Sequence, residues 1–209
     1  MISQKRRSLT SSIASQSDLS LAARALLAPT EEKLSTGNFE GGLWHVWGSI
    51  VDVAADTEHQ SQEPLVAMVT VWDEKVKLWS DLPVFGPTIR EAWNLGFNTD
   101  YSASQWHNLN AFIARLTSLS PSTPEFDFSL FGLWTLKSAF EGTNEGSPAD
   151  ADAAKLWFMY AEDVLTNMSN EGKSFPNKLG AGGTNFADKD WTGFNTERIE
   201  VWKSALDSL

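Results

Sequence analysis

Three side chains along this sequence could transfer protons. Glu141 ends a helical segment anchored by aromatic residues, Tyr160 lies one turn after a tryptophan, and His107 directly follows another. An acid or base in a dry pocket needs a perturbed pKa to work near neutral pH. The sequence therefore predicts acid–base chemistry at Glu141, Tyr160 or His107. A hydrogen-bonded structural histidine is the alternative interpretation of His107.

Polar side chains also lie beside apolar helix faces. Asn110 lies near the core-facing stripe of its helix, Arg115 lies at the edge of the same face, and Arg198 is spaced to lie along aromatic rings. A buried arginine needs a charged partner, because an unpaired charge is costly in a low dielectric. The candidate partners are Glu141, Glu162 and Glu197. These residues either form structural bridges between helices or orient a ligand carbonyl or carboxylate.

Ten tryptophans are the compositional anomaly of these 209 residues. Each can bury on the order of 150–250 Å². Helical spacing assigns most of them to the core, while about two or three could line a cavity of the usual aromatic kind. The predicted ligand-binding residues are Trp47, Trp106, Asn110, Arg115, Arg198 and Trp202.

Several kinds of catalytic centre are missing from the sequence. There are no cysteines, which excludes disulfides, thiolate nucleophiles, iron–sulfur clusters and cysteine zinc sites. No glycine-rich phosphate loop, GxSxG elbow, dinucleotide fingerprint or HExxH motif occurs. Asp52 and Asp56 share a helix face, but the aspartate-rich metal motif of terpene cyclases is absent. We expect neither a metal nor a cofactor.

Apolar residues recur at spacings of three and four along most of the chain, which predicts helices. The segments lie near residues 18–27, 43–54, 64–79, 89–97, 104–119, 128–141, 148–168 and 195–206. The glycine-rich stretch 170–190 lacks this periodicity and is either a surface loop or a mobile flap. We predict an all-α fold, a single compact array of about seven or eight helices with a Trp-rich core.

The chain is strongly acidic, with a net charge of −11. Such a surface repels phosphate backbones and anionic lipids, so we expect no nucleic acid and no membrane as partners. Residues 1–17 are basic and serine-rich, which indicates a flexible arm rather than a mitochondrial presequence, and residues 18–209 are expected to form one helical domain. The expected location is the cytoplasm.

A set of motifs resembles an all-helical family of unknown function from filamentous ascomycete fungi, of the domain of unknown function 3632 type. The motifs are the run Trp106…Asn108–Leu116, the Leu82-Pro83 turn, Phe131-Gly132-Leu133-Trp134…Glu141, Ala153-Ala154…Trp157 and Glu197-Arg198…Trp202. The resemblance covers about Leu43 to Leu206. It implies a cytoplasmic fungal protein of helical build and brings no established activity. A role in secondary metabolism is an analogy.

Two functions compete on these observations. The first is a cofactor-independent cyclase, isomerase or dehydratase, acting on an aromatic or polycyclic small molecule in a Trp-lined pocket. The second is a non-catalytic scaffold or regulatory module, whose tryptophans are all core and whose acidic surface meets a basic protein.

Overall fold

The computed structural model describes residues 40–71, 84–95, 100–142, 148–176 and 178–209. In these ranges the chain forms seven α-helices and no β-strand, which confirms the all-α prediction. The helices are α1 (Glu40–Asp56), α2 (Glu63–Val71), α3 (Phe85–Leu95), α4 (Ala103–Ser118), α5 (Ser129–Phe140), α6 (Pro148–Glu171) and α7 (Thr196–Leu206). The helix predicted near residues 18–27 lies outside the described residues, as do residues 72–79 and 96–97 of the helices predicted near 64–79 and 89–97.

The chain divides into two compact units at Leu109. The helices α1 to α3 belong to the first unit and α5 to α7 to the second, while α4 begins in the first and ends in the second. Each unit contains buried tryptophans, so the predicted Trp-rich core is present in both. The single domain over 18–209 stays a prediction, and the predicted arm over 1–17 lies outside the described ranges.

In the first unit, aromatic packing and a buried amide pair hold the helices together. α1 packs on α3, where the rings of Trp47 and Phe85 lie 4.6 Å apart. The buried Gln62 donates its side-chain amide to the Asn108 carbonyl at 2.7 Å, and the Asn108 amide donates to the Ala55 carbonyl at 3.0 Å. Because buried polar groups need partners, these bonds fix the start of α2 and α4 against the end of α1.

The beginning of α4 is set by a capping box. The Gln105 side chain accepts a hydrogen bond from the backbone N–H of Ser102 at 3.0 Å, and the Ser102 hydroxyl accepts one from the Gln105 N–H at 3.3 Å. This reciprocal pair satisfies two backbone donors that a helix start leaves without partners.

In the second unit, α5 packs along α6, and α7 packs against both. The approach of α5 to α6 is close because Gly132 lies against the indole of Trp157. The long helix α6 is kinked at Ala161, whose φ of −136° and ψ of 15° are not helical. The kink separates the half of α6 that carries Trp157 from the half that carries Val164 and Met168.

We expect Gly132→Ala to lower the free energy of unfolding by about 2 kcal/mol. A methyl group there would lie 2.7 Å from the Trp157 ring. That ring is held by a hydrogen bond, so the clash outweighs the roughly 1 kcal/mol that alanine gains in a helix. Chemical denaturation measures the change. Gly48→Ala is the matched control, since nothing lies within 4 Å of the added methyl group, and it should stabilise; a stabilising Gly132→Ala would contradict the tight contact.

Candidate functional site

The predicted site residues fall into both units. Trp47, Trp106 and His107 belong to the first. Trp47 is fully buried, and the ring of Trp106 is buried 4.7 Å from that of Trp93. His107 is half-buried on α4. In the first unit the two tryptophans therefore serve as core residues.

Asn110 joins three helices of the second unit. Its side-chain oxygen accepts hydrogen bonds from the Trp157 indole at 2.8 Å and the Thr135 hydroxyl at 2.9 Å. All three side chains are buried. The contact links α4 to α6 and α5, and a buried network of this kind favours one helix arrangement over others.

Arg115 and Tyr160 form a second link between α4 and α6. The guanidinium carbon lies 3.9 Å from the centroid of the tyrosine ring, which is a cation–π contact. Both side chains are half-buried, and Tyr160 directly precedes the kink at Ala161. The kink therefore falls where α6 meets the arginine of α4.

Glu141 and Arg198 form a fully buried ion pair. Arg198 Nε donates to Glu141 Oε1 at 2.7 Å, and Nη2 donates to Oε2 at 2.9 Å. Both side chains have 0% exposure. Oε1 also accepts from the Trp202 indole at 2.8 Å, and Oε2 accepts from the Gly183 N–H at 2.7 Å. We call Glu141, Arg198, Trp202 and Gly183 the Glu141 cluster.

The remaining guanidinium protons bind backbone carbonyls. Nη1 donates to the Gly180 carbonyl at 2.6 Å and the Gly193 carbonyl at 2.9 Å, and Nη2 donates to the Ala181 carbonyl at 3.2 Å. Trp191 and Trp202 each place a ring centroid 5.2 Å from the guanidinium carbon. Arg198 thus makes five hydrogen bonds, which equals its number of donors.

This saturation determines what the Glu141 cluster can do. A carboxylate offers about four acceptor sites, and Glu141 receives four hydrogen bonds. A buried charge pair survives only when such bonds compensate the lost hydration. The arrangement is therefore well suited to holding helices and loop together, and it offers a substrate no open acceptor on Glu141.

Two of the three carboxylates proposed as arginine partners pair elsewhere. Glu162 binds Lys203 at 2.9 Å, and Glu197 binds Lys189 at 2.5 Å on the surface. The hydrogen bond from Lys189 lowers the pKa of Glu197 below its usual value. Of these three carboxylates, Glu141 is the one that pairs with Arg198.

The glycine-rich stretch is a closed loop whose described residues are held by many bonds. Its base is the antiparallel bridge between Ser174 and Gly193. Lys137 of α5 donates to the Ala181 carbonyl at 2.9 Å, and the Asn185 N–H donates to the Glu141 carbonyl at 3.0 Å. These contacts favour the surface loop over the mobile flap.

Glycine is required in this loop by close backbone approaches. A Cβ atom at Gly180 would lie 1.9 Å from the Thr192 carbonyl oxygen, and one at Gly183 would lie 2.5 Å from Glu141 Cβ. The predicted site residues include neither these glycines nor Trp191. The sequence feature that could have indicated them is a tryptophan within an otherwise polar, glycine-rich stretch.

The second unit also contains an open cleft of about 290 Å³. We call it the Asp127 cleft, and it is lined by Ser120, Pro121, Pro124, Asp127, Val164, Asn167, Met168 and Glu171. It lies between the α4–α5 connection and the last turns of α6. None of the predicted site residues lines it.

The Asp127 carboxylate is held from two sides. Oδ1 accepts hydrogen bonds from the Ser129 hydroxyl at 2.6 Å and its N–H at 3.2 Å, while Oδ2 pairs with the Lys173 ammonium. Burial raises the pKa of Asp127, but the hydrogen bonds from Lys173 and Ser129 and the lysine charge together lower it below the usual value. Asp127 is therefore ionised at neutral pH.

Among the described residues, no group of three or more His, Cys, Asp or Glu is arranged to hold a metal ion. Within those same ranges, no helix has the length and apolar character needed to cross a membrane.

Comparison with known proteins identifies one family. A family model described as "Protein of unknown function (DUF3632)" matches residues 47–206. No curated protein and no solved structure matches the chain significantly.

We expect Arg198→Lys to lower the free energy of unfolding by about 3 kcal/mol or more, because lysine cannot reproduce the guanidinium fork around a buried carboxylate. Chemical denaturation measures the change. The matched control is Lys203→Gln, which breaks the exposed pair with Glu162 and should cost less than about 1 kcal/mol. Equal stability of the two variants would contradict a structural role for the Glu141 cluster.

We expect the backbone amide of Gly183 to exchange slowly with deuterium, although it lies in a loop. It donates to a buried carboxylate, so exchange requires the Glu141 cluster to open. The amides of Asp188 and Asp190, exposed positions of the same loop, should exchange fast. Residue-resolved exchange by NMR measures both. Equally fast exchange at all three positions would indicate a mobile flap.

Proposed function

For a chain that belongs to the DUF3632 family of proteins of unknown function, we propose a non-catalytic role as a helical module that binds a basic segment of another protein. The observation that carries this proposal is the Asp127 cleft, whose lining combines two carboxylates with four apolar residues. Clefts of about 300–1,000 Å³ are typical of small-molecule sites, and the Asp127 cleft lies just below this range. Its size suits a side chain better than a polycyclic compound.

The charge of the chain supports the same role. With a net charge of −11, the protein attracts cationic partners and steers them by long-range electrostatics. Charge complementarity contributes mainly to association rate and partner choice. An acidic cleft on an acidic protein therefore favours a basic segment over an acidic one.

The state of Glu141, one of the three predicted catalytic residues, also supports a binding role. Glu141 and Arg198 satisfy each other and the loop backbone, and Trp202 donates to the same carboxylate. A general acid or base must reach a substrate proton within hydrogen-bond distance. The buried, saturated Glu141 lacks this access in the described structure.

The cofactor-independent enzyme stays a prediction from the sequence. In the second unit, the predicted site residues that are partly exposed are Arg115 and Tyr160, which form a cation–π contact. The fungal origin, the cytoplasmic location and the link to secondary metabolism are likewise predictions, and the present proposal requires none of them.

We expect the full chain to bind a short lysine-rich peptide and not to bind a glutamate-rich peptide of the same length. Binding should saturate near one peptide per chain and weaken by about tenfold between low and high salt, because screening removes charge attraction. Isothermal titration calorimetry measures both effects. A glutamine peptide is the neutral control.

Two results would decide against this role. The first is the absence of saturable binding to the lysine-rich peptide. The second is the turnover or tight binding of an aromatic or polycyclic compound in a way that depends on Arg115 or Tyr160, which would favour the enzyme.

A further inference from the structure

We propose that the Asp127 cleft binds a lysine side chain of the partner segment, and that this chain's own Lys173 occupies the acidic edge of the cleft until the partner displaces it. This inference rests on the proposed function, since it specifies where and how the basic segment is held. It assigns the chemistry of recognition to an ammonium group on an aliphatic stem.

The lining of the cleft matches the two parts of a lysine side chain. Four apolar residues, Pro121, Pro124, Val164 and Met168, provide a surface for the methylene stem. Lysine commonly lays its stem along apolar surface while its ammonium reaches a polar group. Four polar residues complete the lining, and two of them, Asp127 and Glu171, carry the negative charge that an ammonium group would pair with; the other two are Ser120 and Asn167.

The two carboxylates differ in how they are engaged. Glu171 lies at the end of α6, is exposed, and makes no ion pair within the described part of the chain. Asp127 is ionised and fixed in position by Ser129. An incoming ammonium therefore meets one available carboxylate and one that is already oriented.

Lys173 demonstrates that an ammonium fits this edge. Its Nζ atom pairs with Asp127 Oδ2 and lies 3.9 Å from the Met168 sulfur, so it contacts two residues of the cleft lining. The side chains of Lys173 and Asp127 are 25% and 36% exposed. Because water reaches both partners, the pair is weak enough to exchange for an external ammonium.

The Lys173 side chain can leave without disturbing the loop. Its N–H donates to the Met168 carbonyl at 2.9 Å, and its carbonyl accepts from the Phe194 N–H at 2.8 Å. These backbone bonds do not involve the ammonium. Displacement therefore requires a rotamer change of one half-buried side chain, and the bridge at the loop base stays intact.

The decisive experiment uses the full chain and the same short lysine-rich peptide. We expect the double variant Asp127→Asn/Glu171→Gln to bind this peptide about tenfold more weakly than the unaltered chain. The matched control, Asp188→Asn/Glu200→Gln, removes the same charge from exposed positions outside the cleft and should change affinity by less than about twofold. The single variant Glu171→Gln changes only an exposed position, so it tests the cleft without the folding defect that a substitution of Asp127 could cause.

The methyl groups of Val164 and Met168 report the location directly. Peptide binding should shift their NMR signals, and a peptide with norleucine in place of lysine should not. Binding that leaves these signals unmoved, or that the cleft variant and the control weaken equally, would overturn the cleft assignment and leave the proposed function standing. Absence of any binding would instead reject the proposed function and this inference together.

Lys173→Met tests the displacement step. It keeps the length of the side chain and removes the competing ammonium, so peptide affinity should rise by about two- to fivefold. Lys178→Met, at an exposed loop position outside the cleft, removes the same charge and should have a smaller effect. A Lys173→Met affinity equal to that of Lys178→Met, or below it, would show that Lys173 is not the occupant that the partner displaces.

Discussion

The buried ion pair between Glu141 and Arg198 is the interaction on which the second unit depends. Two opposite charges with 0% exposure are stable only if their geometry and their additional hydrogen bonds compensate the lost hydration. The additional hydrogen bonds are present on both partners. The Trp202 indole and the Gly183 N–H donate to Glu141, and Arg198 donates to three loop carbonyls. The pair consequently joins the end of α5, the helix α7 and the loop between α6 and α7.

The position of Lys173 beside the cleft depends on this pair through the loop. Arg198 binds the Gly193 carbonyl, and Gly193 is bridged to Ser174 at the loop base. The neighbouring Lys173 is thereby held by backbone bonds, and its ammonium reaches Asp127 at the start of α5. The buried pair of Glu141 and Arg198 thus positions the partly exposed pair of Lys173 and Asp127. The Lys173–Asp127 pair is the one that can exchange with a partner.

Residues that bind ligands and residues that join helices have the same sequence pattern. Polar side chains beside tryptophans at helical spacing satisfy both descriptions. The structure distinguishes them by the number of bonds already made: Asn110 accepts from Trp157 and Thr135, and Glu141 accepts four bonds. A polar group with its capacity used internally stabilises the fold, whereas Glu171 at the cleft keeps its capacity for a partner.

The sequence by itself predicted the seven helices that the described residues form, because apolar spacing, prolines and capping residues act within a few residues of each other. It also identified Glu141 as a candidate partner of Arg198, since a buried arginine needs a carboxylate. The choice of Glu141 over Glu162 and Glu197, the loop glycines and the Asp127 cleft were decided only by the tertiary structure. These features join residues tens of positions apart, and their energies depend on distances and burial that local spacing does not specify.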